Sequence, residues 1–200
     1  ETKFHLSHMA ETETLSDGEK AFLQILMARR CMTDDEARLS HADCQRIGPV
    51  GDDPQHSFKK INRALKMTGL EVRSMVFTPS ESQPGTLVHS IVNVTNDDIS
   101  MKFGTKKSPA ELEYFKKAVE AIGESIEAQQ QNTVPFSDVR DHKLPPREAR
   151  AVRDHLVEQH WLKLDHENED MIGIGPRTYL ELAEFLESLD VFPRPQIIYH

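Results

Sequence analysis

The sequence predicts a mainly α chain with short β-hairpins, an α+β fold laid out twice, and three observations carry that prediction. Capping boxes of the form Ser/Thr-x-x-Glu stand at Ser16 to Glu19, Thr33 to Glu36 and Ser108 to Glu111, each directly ahead of a helical run. Two stretches rich in Val, Ile and Thr, Leu70 to Phe77 and Thr86 to Val94, flank turn chemistry at 78–85, so the period switches from helix to strand. The same succession then recurs about one domain further on.

The first helix follows Ser16, with Phe22, Ile25 and Leu26 as its apolar stripe, and ends near Arg30 and Cys31. A second runs from Asp34 to about Arg46, where Gly48 and Pro49 stop it. Asp53 as cap and Pro54 at the first helical position open a third, whose Phe58, Ile61 and Leu65 share a face until Gly69. Three helices and then a hairpin is the order of a winged helix, with the hairpin as wing. The second copy begins with an amphipathic helix through Leu112, Phe115, Val119, Ile122 and Ile126. A short element at 136–141 comes next, and Pro145-Pro146 starts a helix through Ala149, Val152 and Leu156. Short strands at 161–164 and 171–174 precede a last helix carrying Tyr179, Leu182, Phe185, Leu186 and Leu189. The expectation is tandem winged-helix domains: a tail at 1–15, units at 16–107 and 108–192, and a linker at 193–200. Residues 1–8, with Ser7-His8-Met9 resembling a tag junction, are set aside.

At 200 residues the chain has room for two small domains without disulfide staples. Lys and Arg total 24 against 33 Asp and Glu, and the net charge of -9 argues against a surface that coats nucleic acid throughout. Two cysteines, Cys31 and Cys44, make neither a disulfide framework nor a four-cysteine zinc site, and fit a reducing compartment. No apolar run reaches the roughly 20 residues of a membrane helix.

Charge is uneven. From Phe58 to Lys107 eight basic residues (Lys59, Lys60, Arg63, Lys66, Arg73, Lys102, Lys106, Lys107) face four acidic ones, a net +4 on the third helix and wing that meet DNA in a DNA-binding winged helix. These eight are the candidate DNA contacts, against the plainer reading of a solvated helix face. Cys31, His41 and Cys44 lack a fourth metal ligand at any usual spacing and read as buried thiols beside a surface histidine. Ser137, Asp138 and His142 have the residue types of a hydrolase triad without a nucleophile elbow, and Gly173 to Arg177 reads as a strand-to-helix turn. No catalytic site and no metal site are expected.

The runs Phe22 to Met27, Leu87 to Val94 with Ile99-Ser100, Ala110 to Ala118, and Trp161-Leu162 with Gly175 to Leu182 resemble the first non-SMC element subunit of the SMC five-six chromosome complex. That resemblance spans about Gly18 to Val191. It implies a nuclear, chromatin-associated subunit of DNA repair and recombination that pairs with a MAGE-like third non-SMC element, the two holding the kleisin fourth element. Family members continue into a variant RING domain whose zinc supports ubiquitin-ligase activity. With no cysteine after Cys44, this chain is expected to lack that domain, and with it zinc, any other cofactor and ligase chemistry. Phe22, Leu26, Met27 and Arg30 on the first helix are the candidate partner contacts. The alternatives are a winged-helix transcription regulator, suggested by the basic third helix, and a partner of a condensin-type kleisin.

Overall fold

The computed structural model describes residues 14–79, 83–95, 108–128, 131–139 and 144–200. The first unit comprises α1 (Asp17–Arg29), β1 (Cys31–Thr33), α2 (Asp34–Cys44), α3 (Pro54–Leu65), β2 (Leu70–Phe77) and β3 (Thr86–Asn93). The second comprises α4 (Pro109–Glu127), β4 (Thr133–Pro135), α5 (Phe136–Val139), α6 (Pro146–Glu158), β5 (Leu162–Leu164) and β6 (Met171–Ile174). Two short helices, α7 (Pro176–Glu181) and α8 (Ala183–Ser188), and a last strand β7 (Ile197–Tyr199) follow.

All three capping boxes form. Ser16, Thr33 and Ser108 accept from the backbone amides of Glu19, Glu36 and Glu111, whose carboxylates return to the cap amides. The start of α1 also touches the chain just after α2: a Cβ on Gly18 would stand 2.2 Å from the Gly48 carbonyl oxygen, so only glycine permits this approach. Gly69, at φ 71°, makes the left-handed step from α3 into β2.

The first sheet has the order β1-β3-β2-β7 and the second β4-β6-β5, with antiparallel pairing throughout. Both faces of the first sheet are covered. Met32, Val72 and their neighbours pack on Phe22, Leu26, Phe58 and Ile61 of the helices on one side. On the other, Cys31, Met75, Phe77, Val88 and Val92 pack on Leu180 and Tyr179 of α7. This double cover explains why β3 is buried without interruption from Val88 to Val92, where a one-sided strand would alternate. The core of the second unit is one apolar cluster reaching from Tyr114 to Phe192, with Trp161 and Phe115 at its centre.

The structure departs from the sequence reading at four places. Residues 193–200, expected as a linker, contain β7, which pairs with β2 at Arg73, Ser74 and Met75. The last helix is two, because Leu182 leaves helical geometry at φ -117° and ψ 26°. The three-residue strands β1 and β4, too short to show a period, had no sequence signal. His41, expected at the surface, is only 4% exposed; its Nε2 lies 2.9 Å from Ser57 Oγ and its ring meets Phe22 edge-on.

Candidate interaction surfaces

Asp53 caps α3 and Pro54 fixes its first turn, which directs Phe58 and Ile61 into the core and leaves the opposite side to cations. Lys59, Arg63 and Lys66 lie exposed there and line a shallow groove with Asn62, Glu71 and His200. The other candidate cations divide differently. Lys60 turns inward, its Nζ 2.9 Å from Oε2 of Glu19, which is 3% exposed. Burial pushes the Glu19 carboxyl up, but the Ser16 amide and the Lys60 ammonium outweigh it and hold the pKa below the ordinary value. Arg73 pairs with Glu71, lies 5.2 Å from the Tyr199 ring centre and faces the second unit near the Leu180 carbonyl. Lys60 and Arg73 are thus occupied within the fold, a correction to the set of DNA contacts. Lys102, Lys106 and Lys107 lie outside the described residues.

On α1 the four candidate partner contacts separate by depth. Phe22 and Leu26 are core, Phe22 stacking on Phe58 with ring centres 5.6 Å apart, so they are withdrawn as direct contacts. Met27, 42% exposed, and Arg30 remain on the surface. The Arg30 backbone is fixed at φ 66°: its amide donates to Leu26 and its carbonyl accepts from Ser90 Oγ at 2.7 Å. The side chain is therefore presented from a rigid base.

A polar chain crosses the first sheet. His89 Nε2 lies 3.2 Å from Asp34 Oδ1, His89 Nδ1 lies 2.6 Å from Ser74 Oγ, and that same Oγ lies 2.6 Å from His200 Nε2. One consistent assignment gives each contact a single hydrogen with both rings neutral: His200 N–H donates to Ser74, the Ser74 hydroxyl to His89, and His89 N–H to Asp34. Burial is the main force lowering the pKa of both histidines, that of His200 to about 4. At Asp34 burial pushes the carboxyl up, but bonds from Arg38 and His89 outweigh it and the net shift is downward. Asp34, His89 and Ser74 have the hydrogen-bond order of a hydrolase triad, yet Ser74 and His89 are fully buried and no acyl substrate reaches them. Sequence reasoning missed this chain. Its one signal was a polar residue inside each apolar strand, Ser74 in Leu70 to Phe77 and His89 in Leu87 to Val94.

Cys31 and Cys44 are buried in different clusters, and burial pushes the Cys31 thiol up to about 12. Such thiols are poor zinc ligands, and no group of three or more His, Cys, Asp and Glu suited to a metal occurs among the described residues. These residues do not fit the zinc of a RING domain. Ser137 and Asp138 are exposed neighbours, whereas His142 lies outside the described residues. Gly175 is the N-cap of α7, as a strand-to-helix turn requires. No helix among the described residues is long and apolar enough to cross a membrane.

Two three-helix units, each with a β-hairpin, packed through one sheet and offering an exposed α1 edge and an α3 groove, define a tandem winged-helix protein. Over residues 19–138 the chain matches the family described as the Nse1 non-SMC component of SMC5-6 complex, and it belongs to that family. Among solved structures it is similar to a chain of an Nse1-Nse3-Nse4 complex, at 20% identity and a TM-score of 0.72, covering 91% of this chain and 81% of that one. That likeness shows the same winged-helix arrangement. No curated protein matches the sequence.

Proposed function

We propose that this chain is an assembly subunit of the SMC five-six complex that pairs with a MAGE-like third non-SMC element, the pair holding the kleisin fourth element. The observation that carries this reading is membership of the Nse1 family, supported by a fold shared with a chain of the Nse1-Nse3-Nse4 complex across nine-tenths of its length. The partner meets α1 at Met27 and Arg30, and the complex acts in the nucleus, on chromatin, in DNA repair and recombination. Ubiquitin transfer belongs to the family's RING domain and is assigned to none of these residues.

Co-expression with a MAGE-like protein gives one heterodimer peak on a sizing column; clean separation of the two proteins overturns the reading. Met27→Asp together with Arg30→Glu weakens the pair while leaving the melting curve of the isolated chain in place. The three cations exposed along α3 favour a second role, contact with DNA phosphates. Reversing Lys59, Arg63 and Lys66 to Glu then lowers duplex affinity and flattens its salt dependence, whereas an unchanged slope removes DNA from the account.

A further inference from the structure

Past α8 the chain returns to the first unit, and β7 adds itself to the β2 edge with Tyr199 opposite Arg73, Ile198 opposite Ser74 and Ile197 opposite Met75. The strand itself buries little, since Ile198 is 44% and Tyr199 65% exposed. Its anchor is the next residue. The His200 ring enters between α3 and the sheet, 5.1 Å from the Phe58 ring and hydrogen-bonded to Ser74, while its carbonyl accepts from Asn62 Nδ2 at 3.2 Å. Asn62 also donates to the Val72 carbonyl and accepts from the Val72 amide, so one side chain holds α3, β2 and residue 200 together. An element of two exposed strand residues, one half-buried and one inserted ring sits at the low end of local stability, while each unit keeps its own apolar cluster without it.

We propose that residues 197–200 form a latch that closes the edge of the first sheet, ties the end of the second unit to the first, and opens as one element while both winged helices stay folded. The groups around the ring make it sensitive to protons. Lys59, Arg63 and Lys66 border it from α3 and Glu71, paired with Arg73, from β2. From β3 it faces His89, which is bonded to Asp34 of α2, itself paired with Arg38. Burial, then His89 and Lys59, hold the latched His200 at about 4. The released ring returns to the ordinary value near 6.5, so closure is complete above that pH and weakens as pH falls towards 4. At pH 5.5 the latch is roughly tenfold more open than at neutral pH.

The test is amide hydrogen exchange on the whole chain, read by NMR at pH 7.4 and 5.5 and corrected for intrinsic exchange. Amides of 197–200 and the β2 edge lose protection together, roughly tenfold at the lower pH, while β3 and β6 keep theirs. His200→Phe fills the same pocket with a ring that takes no proton, and the pH step disappears. Tyr199→Ala, outside the pocket, opens the latch at both pH values and retains the step, which keeps the test decisive if the Phe variant does not fold. Exchange of β7 only in concert with β3 and β6 overturns the latch, and a step that persists in folded His200→Phe removes His200 as its trigger.

Discussion

The second unit encloses a single apolar cluster around Trp161, Phe115 and Leu156, whereas the first divides its interior between a smaller cluster around Phe22 and Phe58 and a row of polar residues, His41, Ser57, Ser74 and His89. Its sheet is finished by elements from elsewhere, α7 on one face and β7 on one edge. The difference teaches how two copies of one layout come to depend on each other. The later copy is stabilised mainly by burial within itself, and the earlier one by satisfied polar pairs together with surface lent by its neighbour.

The sharpest test of the self-contained core is Phe115→Ala, whose ring sits 5.8 Å from Trp161. It should cost about 3–5 kcal/mol, seen as an earlier denaturation midpoint in the fluorescence of Trp161, the single tryptophan. Leu180→Ala removes a fully buried contact between the units and should cost about 2–4 kcal/mol. If the units depend on each other as described, it lowers amide protection in β2 and β3 more than in β6; equal losses would break the comparison. Lys60→Ala leaves the Glu19 carboxylate buried without its ammonium and should cost about 1–3 kcal/mol, whereas Lys59→Ala on the exposed side should change the melt little.

Acid should also act on the first unit. His41, His89 and His200 of the first sheet's surroundings all have lowered pKa values, with burial the leading cause. A histidine depressed in the folded state supports the fold fully above its unfolded value near 6.5 and withdraws that support as pH falls through its folded value. Melting temperature should therefore fall between pH 7.5 and 5, and fall less in His41→Gln. A smaller loss is expected at the caps: Ser16→Ala and Ser108→Ala should each cost about 1 kcal/mol, measured by urea denaturation.

The longer helices and both hairpins were legible because each carried a local signal: a capping box, Pro at the first turn, or a change from helical to strand period; the break at Leu182 carried none. Double burial of β3 was hidden, since Leu87 to Val94 reads as a plain apolar strand until α7 is seen on its second face. β7 was illegible for another reason. Ile197-Ile198-Tyr199 follows three prolines at 193, 195 and 176 and is too short to show a period, so only its pairing partner identifies it as a strand. Among the candidate sites, composition located the basic α3 correctly as a region but could not tell Lys59 from Lys60. The two are neighbours in sequence and point to opposite environments, one to solvent and one to the buried Glu19.

The edge of β2 has a history as well as a geometry. Ser74 and His200 are 126 residues apart in the chain, and ribosomes add about 5–20 residues each second. During synthesis the first sheet therefore waits roughly ten seconds with β2 unpaired on one side, an interval in which an open edge can recruit a strand from another nascent chain. Conditions that keep nascent chains apart during that interval therefore protect the β2 edge until its last strand arrives.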